Sequence, residues 1–343
     1  MIRISIIIPV YNAEKTLKKC LKGISECINN TSELILVDNN STDKSFSICE
    51  DFKASSPNIR TKLKKEFKKG PSSARNNGAL SAEGEWLLFT DSDCVPTEDW
   101  LVDFLTHFND SDIGAVAGCI KPFPPSNMVQ KIQSLFTLSE NRYENIYKSS
   151  NIIEGLFPAA NLAVKKDVFN LVGGFNETLL YGEDRDLCYK IYQAGYGIKA
   201  VRNAVVEHIH RTKLIEFIKQ SFCFGTSHPY ELRHSSKGSI IILSPFLKIN
   251  KYVPDRYIWI DLNQADKKIL FLLLPIFFGW PFLSFLSCYL LYLCYFIYKK
   301  SLEKNIKTNL FELPILAFLL VLKSVLFTFG RVTYSFKFRV LCF

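Results

Sequence analysis

Short apolar runs alternate with segments of helical spacing from residue 4 to about residue 119, and this alternation constrains the fold more than any other feature. Ile4–Val10 is rich in β-branched residues and predicts a buried strand, and Ala13–Cys27 follows with apolar residues at helical spacing. Further strands are predicted at Glu33–Val37, Glu85–Thr90 and Ile113–Cys119. This order predicts an α/β fold with a mainly parallel central sheet, whose ligands bind at the carboxyl ends of the strands.

The remaining elements are predicted from the same patterns. Within the alternating region, helices are predicted at Lys44–Lys53, Pro71–Leu80 and Asp99–Phe108. Later in the chain we expect short extended pieces at Ile152–Val164, a strand at Ala204–Val206, and helices at Met128–Tyr147, Lys166–Val172, Glu183–Ala194 and Leu214–Phe224. Residues 226–267 are polar and contain prolines, which predicts a linker.

The last part of the chain differs in composition from the rest. Residues 269–329 are dominated by Leu, Phe, Ile and Tyr, whereas residues 1–230 mix charged, polar and apolar positions. Ile269–Tyr298 carries no charge, and Leu313–Gly330 carries only Lys323. About 20 apolar residues cross ~30 Å of hydrocarbon, so membrane-associated helices are expected. We therefore expect an α/β domain at 1–225, a linker at 226–267 and hydrophobic helices at 268–343.

Basic residues flank the apolar tail and fit attraction to the anionic headgroups of membrane lipids. They are Lys248, Lys251, Arg256, Lys267 and Lys268 before it, and Arg331, Lys337 and Arg339 after it. The lysines at 299–307 favour a cytoplasmic position for the loop between the two apolar segments. Helices that span the membrane and helices that lie in its interface both stay open. The net charge of +9 accompanies no known nucleic-acid motif, so no nucleic-acid partner is expected.

The ten cysteines show no CxxC pair or other metal-like spacing, and no signal peptide precedes the first strand. Scattered cysteines of this kind favour reduced thiols in the cytoplasm. Cys94 stands out because it directly follows an acidic motif. A small buried residue is the simpler interpretation of this cysteine.

That acidic motif is Asp91-Ser92-Asp93, which comes directly after a predicted apolar strand. Two carboxylates this close at a strand end repel each other unless a cation holds them, and hard oxygen ligands suit Mg²⁺ or Mn²⁺. An acidic turn in contact with solvent is the alternative. The position at the predicted ligand edge makes the metal site and the acidic turn equally consistent with the pattern.

Polar and aromatic residues also end the first two predicted strands. Asp38 follows the second strand and could accept hydrogen bonds from a base or a ribose, although an Asx-turn into the next helix is equally consistent with the pattern. Tyr11 and Asn12 end the first strand. Because the carboxyl ends of parallel strands meet at one edge, these residues are expected to line one cleft.

Two further groups lie later in the chain. Glu183 and Asp184 open a predicted helix, where acids often only complement the helix dipole, but one that faces the cleft could act as a general base. His208 and His210 follow the strand at Ala204–Val206, and alternation predicts that both imidazoles lie on one face. Contact with a metal or a phosphate competes there with ordinary surface histidines.

Taken in order, these segments resemble the motifs of family 2 glycosyltransferases. The similar segments cover roughly residues 3–225 and are Ser5–Asn12, Leu36–Asp43, Gly70–Gly78, Phe89–Asp93, Gly173–Asn176, Gly182–Asp184 and Val206–His208. Any one of them is a weak signal, whereas the ordered set is specific. The resemblance implies a GT-A fold at 1–225, a nucleoside-diphosphate sugar donor (most simply a UDP-sugar) and inversion at the anomeric carbon.

The resemblance also implies roles for individual residues. Donor binding is expected from Pro9, Tyr11, Asn12, Asp38, Arg75 and Asp91. Metal binding is expected from Asp93, Asp91 and His208, with Mg²⁺ or Mn²⁺ as the cofactor. Asp184 matches the catalytic base, and Glu183 its neighbour in the acceptor site. The acceptor would be a glycan or a lipid-linked molecule at the cytoplasmic face of the cell membrane, in polysaccharide, lipid-linked oligosaccharide or glycolipid assembly.

Two departures from the family pattern affect these expectations. Pro158-Ala-Ala-Asn161 stands where many relatives have a glycine before the asparagine, which bears on the shape of the acceptor pocket. Asn39 follows Asp38 where an Asp-Asp pair is commoner, which leaves Asp38 alone to recognise the nucleoside by charge. Neither departure removes a residue that the reaction needs.

Two other functions are alternatives to glycosyl transfer. A sugar nucleotidyltransferase would need a glycine-rich basic loop after the first strand, but this chain has Pro-Val-Tyr-Asn-Ala-Glu at that place. A non-catalytic membrane scaffold with the same fold would be expected to have lost its acids, but Asp38, Asp91, Asp93 and Asp184 are all present.

Overall fold

The computed structural model describes residues 3–108, 112–137, 144–149, 155–179, 181–234, 238–244, 248–263 and 281–343. The chain divides into two compact units. The first unit comprises Met1–Phe123 and Ser139–Ile209, and the second comprises Pro124–Leu138 and His210–Phe343.

Four parallel strands form one half of the sheet in the first unit. They lie in the order β3, β2, β1, β4, and their bounds are β1 Ile4–Val10, β2 Ser32–Asp38, β3 Thr61–Lys65 and β4 Trp86–Thr90. The inner strands β1, β2 and β4 are almost completely buried because helices cover both faces, as their continuous apolar runs predict. Their carboxyl ends share one edge of the sheet.

The other half of the sheet is mixed in direction. It continues from β4 in the order β8, β6, β9, β5, and β7 also pairs with β9. The bounds are β5 Cys94–Pro96, β6 Ile113–Pro122, β7 Asn145–Tyr147, β8 Asn161–Lys165 and β9 Gly197–His208. Strand β8 is antiparallel to both neighbours, whereas β6 and β9 are parallel with a register shift at Gly118. The expected α/β architecture with a mostly parallel central sheet is confirmed.

The helices of the first unit place their apolar residues against this sheet. Their bounds are α1 Leu17–Cys27, α2 Ser45–Ser55, α3 Pro71–Leu80, α4 Trp100–Leu105, α6 Lys166–Leu171 and α7 Glu183–Gln193. In α1, Leu17, Leu21 and Ile24 are buried, as their spacing predicts. Helix α3 approaches β1 so closely that a Cβ on Gly78 would lie 2.5 Å from Ile7 Cγ2.

The second unit consists of helices and a small sheet. The helices are α5 Met128–Phe136, α8 Leu214–His234, α9 Pro281–Glu303 and α10 Leu313–Phe338, and the strands are β10 Ser239–Leu243, β11 Lys248–Lys251, β12 Tyr257–Asp261 and β13 Leu341–Cys342. Helices α8 and α10 cross where a Cβ on Gly225 would lie 2.1 Å from Phe327 O. The core includes Phe217, Ile297 and Leu316.

Among the described residues, the helix Leu313–Phe338 is long and apolar enough to cross a membrane by length and composition. Of the first predicted segment, residues 269–280 lie outside the described residues, and α9 covers the rest. The division at 1–225, 226–267 and 268–343 stays a prediction. The expected linker nevertheless contains the end of α8 and the strands β10 to β12, because those strands pair with one another.

Candidate active site

Asp38 ends β2 at the carboxyl edge of the sheet, in register with Val10 at the end of β1. Asp38 is 5% exposed. Its Oδ2 accepts a long hydrogen bond of 3.4 Å from the backbone N–H of Ser41, and its Oδ1 has no hydrogen-bond partner among the described residues. Tyr11, just after β1, is 63% exposed. A buried acceptor and an exposed ring therefore lie at adjacent strand ends.

Asn12 shapes the turn that follows β1. Its φ of 47° is in the left-handed region, which asparagine tolerates better than most residues. Its Oδ1 accepts a 2.8 Å hydrogen bond from the Thr42 backbone N–H, and its own N–H donates to Ser41 Oγ at 3.2 Å. The side chain therefore joins the loops after β1 and β2. Pro9 is half-buried within β1, in register with Val37.

Asn39 has a structural role that explains the departure from Asp-Asp. Its Nδ2 donates to the backbone carbonyls of Glu66 at 2.9 Å and Lys68 at 2.7 Å, and its Oδ1 accepts from the Gly70 N–H at 2.9 Å. A carboxylate could not donate to those two carbonyls. Asn39 therefore ties the loop before α3 to the end of β2.

Arg75 brings the end of β4 and the start of α7 together. It is 5% exposed, and it donates to Asp91 Oδ1 at 2.7 Å and to Glu183 Oε1 at 2.9 Å. Burial opposes its charge, but Asp91 and Glu183 outweigh burial and raise the pKa of Arg75 above its ordinary value. The guanidinium therefore stays charged and links a donor-edge acid to the predicted catalytic pair.

Glu183 and Asp184 open α7 after Gly182, whose φ of 84° requires glycine. Burial, reinforced by the nearby charge of Asp184, raises the pKa of Glu183 to about 7, although Arg75 opposes the shift. Burial also raises the pKa of Asp184, and its Oδ1 accepts a 2.8 Å hydrogen bond from the Arg185 N–H. Glu183 is the more buried of the two and is held by Arg75, so Asp184 is the more accessible acid.

Asp93, Cys94 and His208 form a second cluster at the junction of β5 and β9. Asp93 Oδ1 lies 3.6 Å from His208 Nε2 and 3.9 Å from Cys94 Sγ. The possible ligand atoms of the three residues all lie within 4.8 Å of one another. Asp91 is not part of this group among the described residues, since Arg75 holds one of its oxygens. The structure therefore brings Asp93 and His208 together, whereas Asp91 does not join this group.

His210 does not share the surroundings of His208. Strand β9 ends at His208, so the alternation that predicts a common face does not extend to His210. His210 is buried and belongs to the second unit.

Two asparagines with tertiary roles could not be recognised from the sequence alone. Asn161 accepts from Trp100 Nε1 at 2.8 Å and donates to the carbonyls of Cys119 and Ala204, both at 2.9 Å, so it holds the register shift between β6 and β9. Asn76 exchanges hydrogen bonds with the backbone of Phe175 at 2.9 and 3.0 Å, which anchors the loop before α7 to α3. The signal in the sequence for these roles was that Asn76 lies inside the motif Gly70–Gly78 and Asn161 inside Pro158–Asn161.

Comparisons with known proteins agree with this architecture. The chain is 29% identical over 245 residues to the pre-mycofactocin glycosyltransferase of Mycobacterium tuberculosis, an alignment that covers 70% of this chain and 50% of that protein. It is 28% identical over 233 residues to the O-antigen chain rhamnosyltransferase WbaN of Salmonella anatum, with coverage of 65% and 71%. The chain thus spans about half the length of the first of these relatives.

A solved structure is similar in fold. The mannosyltransferase PcManGT of Pyrobaculum calidifontis, in complex with GDP-Man and Mn²⁺, aligns with a TM-score of 0.54 and 21% identity, covering 67% of this chain and 64% of that one. The fold class is therefore that of the GT-A glycosyltransferases. Residues 5–173 match the model of glycosyl transferase family 2. The family resemblance drawn from the ordered motifs is confirmed.

Proposed function

We propose that this protein transfers a sugar from a nucleoside-diphosphate donor to an acceptor hydroxyl, with inversion at the anomeric carbon. The observation that carries the proposal is the Arg75 bridge. It connects Asp91, at the donor edge of the sheet, with Glu183, and so positions the neighbouring Asp184 near the same edge. Donor site and base would then lie within reach of one reacting sugar.

The nucleoside would bind at the ends of β1 and β2. Asp38 Oδ1 is buried and has no partner among the described residues, so a ribose hydroxyl or a base N–H would satisfy it. The exposed ring of Tyr11 could stack on the base, with Pro9 and Asn12 shaping the turn. The similar archaeal mannosyltransferase was solved with GDP-Man. For this chain we keep a UDP-sugar as the first donor to test.

A divalent cation, Mg²⁺ or Mn²⁺, would be held by Asp93 and His208, whose ligand atoms lie 3.6 Å apart. The carboxylate of Asp93 is a suitable ligand for either ion, and the imidazole of His208 would supplement it. When bound, the ion would offset the negative charge of the departing diphosphate. Asp91 would contribute from its position on Arg75, by orienting the donor or by completing the metal site.

The acceptor proton would pass to the carboxylate of Asp184 as the acceptor oxygen attacks the anomeric carbon and the diphosphate leaves from the opposite face. Asp184 suits this role because it is less buried than Glu183 and Arg75 does not hold it. Glu183 would orient the acceptor and keep Arg75 in place. No covalent enzyme intermediate is required, since a single displacement inverts the configuration.

The acceptor would be a glycan or a lipid-linked molecule at the cytoplasmic face of a membrane. Exposed apolar side chains form one stripe on α10 and another on α9. They are Ile315, Phe318, Val325, Phe329 and Phe336 on α10, and Leu291, Tyr295, Tyr298 and Leu302 on α9, where Leu290, Tyr292 and Phe296 are exposed beside the stripe. The other side of α10 buries polar groups such as Ser324 and Arg331 within the second unit. We propose that both stripes lie in the membrane interface.

The membrane proposal is tested by vesicle binding of the full chain. Phe318→Glu with Phe329→Glu should weaken binding to anionic vesicles at least tenfold, since burial of each ring contributes about 1.5–3 kcal/mol. Tyr252→Glu, at a position that is 62% exposed and off both helices, is the matched control. Equal binding by all variants would remove these stripes from the membrane contact.

The catalytic proposal is tested first by a panel of nucleotide sugars with Mn²⁺, Mg²⁺ or chelator, scored by release of nucleoside diphosphate. Turnover that persists in the presence of chelator would contradict the proposed metal requirement.

Asp184→Asn preserves shape but removes basicity, so transfer should fall by ~10² or more while donor binding changes only a few-fold. Glu183→Gln should be milder. The reverse ranking would move the base by one residue.

A further inference from the structure

The cluster of Asp93, Cys94 and His208 contains three chemically different donor atoms. One is a hard carboxylate oxygen, one an imidazole nitrogen and one a thiol sulfur. A single oxygen, Asp93 Oδ1, faces both other groups, at 3.6 Å from His208 Nε2 and 3.9 Å from Cys94 Sγ. The proposed transfer reaction uses only Asp93 and His208. The thiol is not needed by any step of that reaction.

The backbone holds these three residues in place. Cys94 pairs directly with His208 across the antiparallel strands β5 and β9, so their side chains point to the same face. The N–H of Ile209 donates to the carbonyl of Asp93 at 2.8 Å, and the N–H of Cys94 donates to the carbonyl of Asp91 at 3.0 Å. Strand register and these two backbone hydrogen bonds therefore hold the backbones of the three residues next to one another.

The donor set suits a thiophilic cation better than Mn²⁺ or Mg²⁺. Zn²⁺ binds sulfur, nitrogen and oxygen at ~2.0–2.3 Å in a tetrahedral arrangement, so two of its ligands lie roughly 3.3–3.8 Å apart. The separations of 3.6 and 3.9 Å are close to that range. Mg²⁺ and Mn²⁺ prefer oxygen and do not select thiolates.

We propose that Asp93, Cys94 and His208 form a binding site for Zn²⁺ or a similar thiophilic divalent cation. On binding, the Cys94 thiol releases its proton to solvent and the sulfur forms the bond to the metal, so no oxidation or reduction takes place. Binding itself depends only on these three residues. Its consequence for turnover rests on the proposed function.

That consequence is inhibition. A tetrahedral Zn²⁺ with three protein ligands keeps one open position, whereas a diphosphate that chelates a cation needs two. A hard cation on Asp93 and His208 keeps more open positions, because its coordination number is higher. Zn²⁺ would therefore displace the catalytic ion without supporting the reaction.

Metal binding is tested on the full chain with Co²⁺ as a spectroscopic substitute for Zn²⁺. The wild type should show a thiolate-to-cobalt charge-transfer band in the near ultraviolet, and Cys94→Ser should lose it. Cys27→Ser, which alters another buried cysteine outside the cluster, should retain it. His208→Gln should weaken Zn²⁺ binding at least tenfold, and this covers the case in which Cys94→Ser does not fold. A band that survives in Cys94→Ser would overturn the site.

Inhibition is tested separately, against each variant's own Mn²⁺-supported rate. Zn²⁺ should inhibit the wild type and Cys27→Ser at concentrations at least tenfold lower than those that inhibit Cys94→Ser. Equal Zn²⁺ sensitivity in the three proteins would overturn the inhibitory role. If no nucleotide sugar is turned over with Mn²⁺, the proposed function fails, whereas the cobalt spectra still decide the metal site.

Discussion

Strand β2 carries a buried acid near each end, and the two acids have different surroundings. At the amino end, Glu33 is 0% exposed and accepts from Ser5 Oγ at 2.7 Å and from the Glu83 N–H at 2.6 Å, while Lys62 Nζ lies 2.8 Å away. At the carboxyl end, Asp38 is nearly as buried, but within the described part of the chain its carboxylate accepts a single long hydrogen bond of 3.4 Å. One acid has its partners within the protein, and the other keeps acceptor capacity for a ligand.

This difference separates stability from function along one strand. A buried carboxylate that has charged and hydrogen-bonded partners is costly to deprive of them, whereas one that lacks partners costs stability unless a ligand supplies them. Glu183 is intermediate, because Arg75 pairs with it while Asp184 repels it. The same comparison therefore extends from the ends of β2 to the predicted catalytic pair.

Neutralising the paired acid should produce the largest effect. Glu33→Gln keeps the shape but turns an amide N–H₂ towards Lys62, so we expect a loss of about 2 kcal/mol in the free energy of unfolding. Urea unfolding at neutral pH measures this loss. Donor binding by the folded variant should be unchanged. A variant as stable as the wild type would show that the Lys62 pair contributes nothing.

The same chemical change at the other end of the strand should act on binding. Asp38→Asn should leave the free energy of unfolding within about 0.5 kcal/mol of the wild type, because no partner is lost. Affinity for the donor nucleotide should fall about tenfold, the effect of one weakened hydrogen bond to a charged group. Calorimetric titration of nucleotide into both variants compares the two ends directly. If Glu33→Gln weakened donor binding and Asp38→Asn lowered the free energy of unfolding, the assignment of stability to one end of β2 and of binding to the other would be wrong.

The last prediction concerns the pH dependence of stability, to which Glu183 contributes. Its pKa rises from 4.5 to about 7 on folding, so the folded protein binds more protons than the unfolded chain between those values. Stability should therefore fall as pH rises from about 4.5 to about 7, and stay lowered above that. Glu183→Gln removes this titration and should therefore flatten the fall in stability between pH 5 and pH 8. Identical pH profiles would contradict the raised pKa.

Much of the fold could be predicted from local sequence patterns. Helix Pro71–Leu80 has both of its predicted ends, because proline begins it and the motif residues face the sheet. Strand β3, Thr61–Lys65, was not predicted, since its half-exposed polar sequence becomes a strand only by pairing with β2. The helix predicted at Met128–Tyr147 ends at Phe136, and Asn145–Tyr147 pairs with β9 instead. These misses are elements whose state depends on a distant partner.

The amino-acid sequence by itself determined the order of strands and helices, the family and the types of residue at the predicted site. These properties are written in local patterns and in the order of short motifs. Only the tertiary structure decided that Arg75 joins Asp91 to Glu183, that Cys94 pairs with His208 across two strands, and that Asp38 has an oxygen without a partner among the described residues. Such contacts depend on strand register and helix packing, and these are settled by the whole chain as it buries its core.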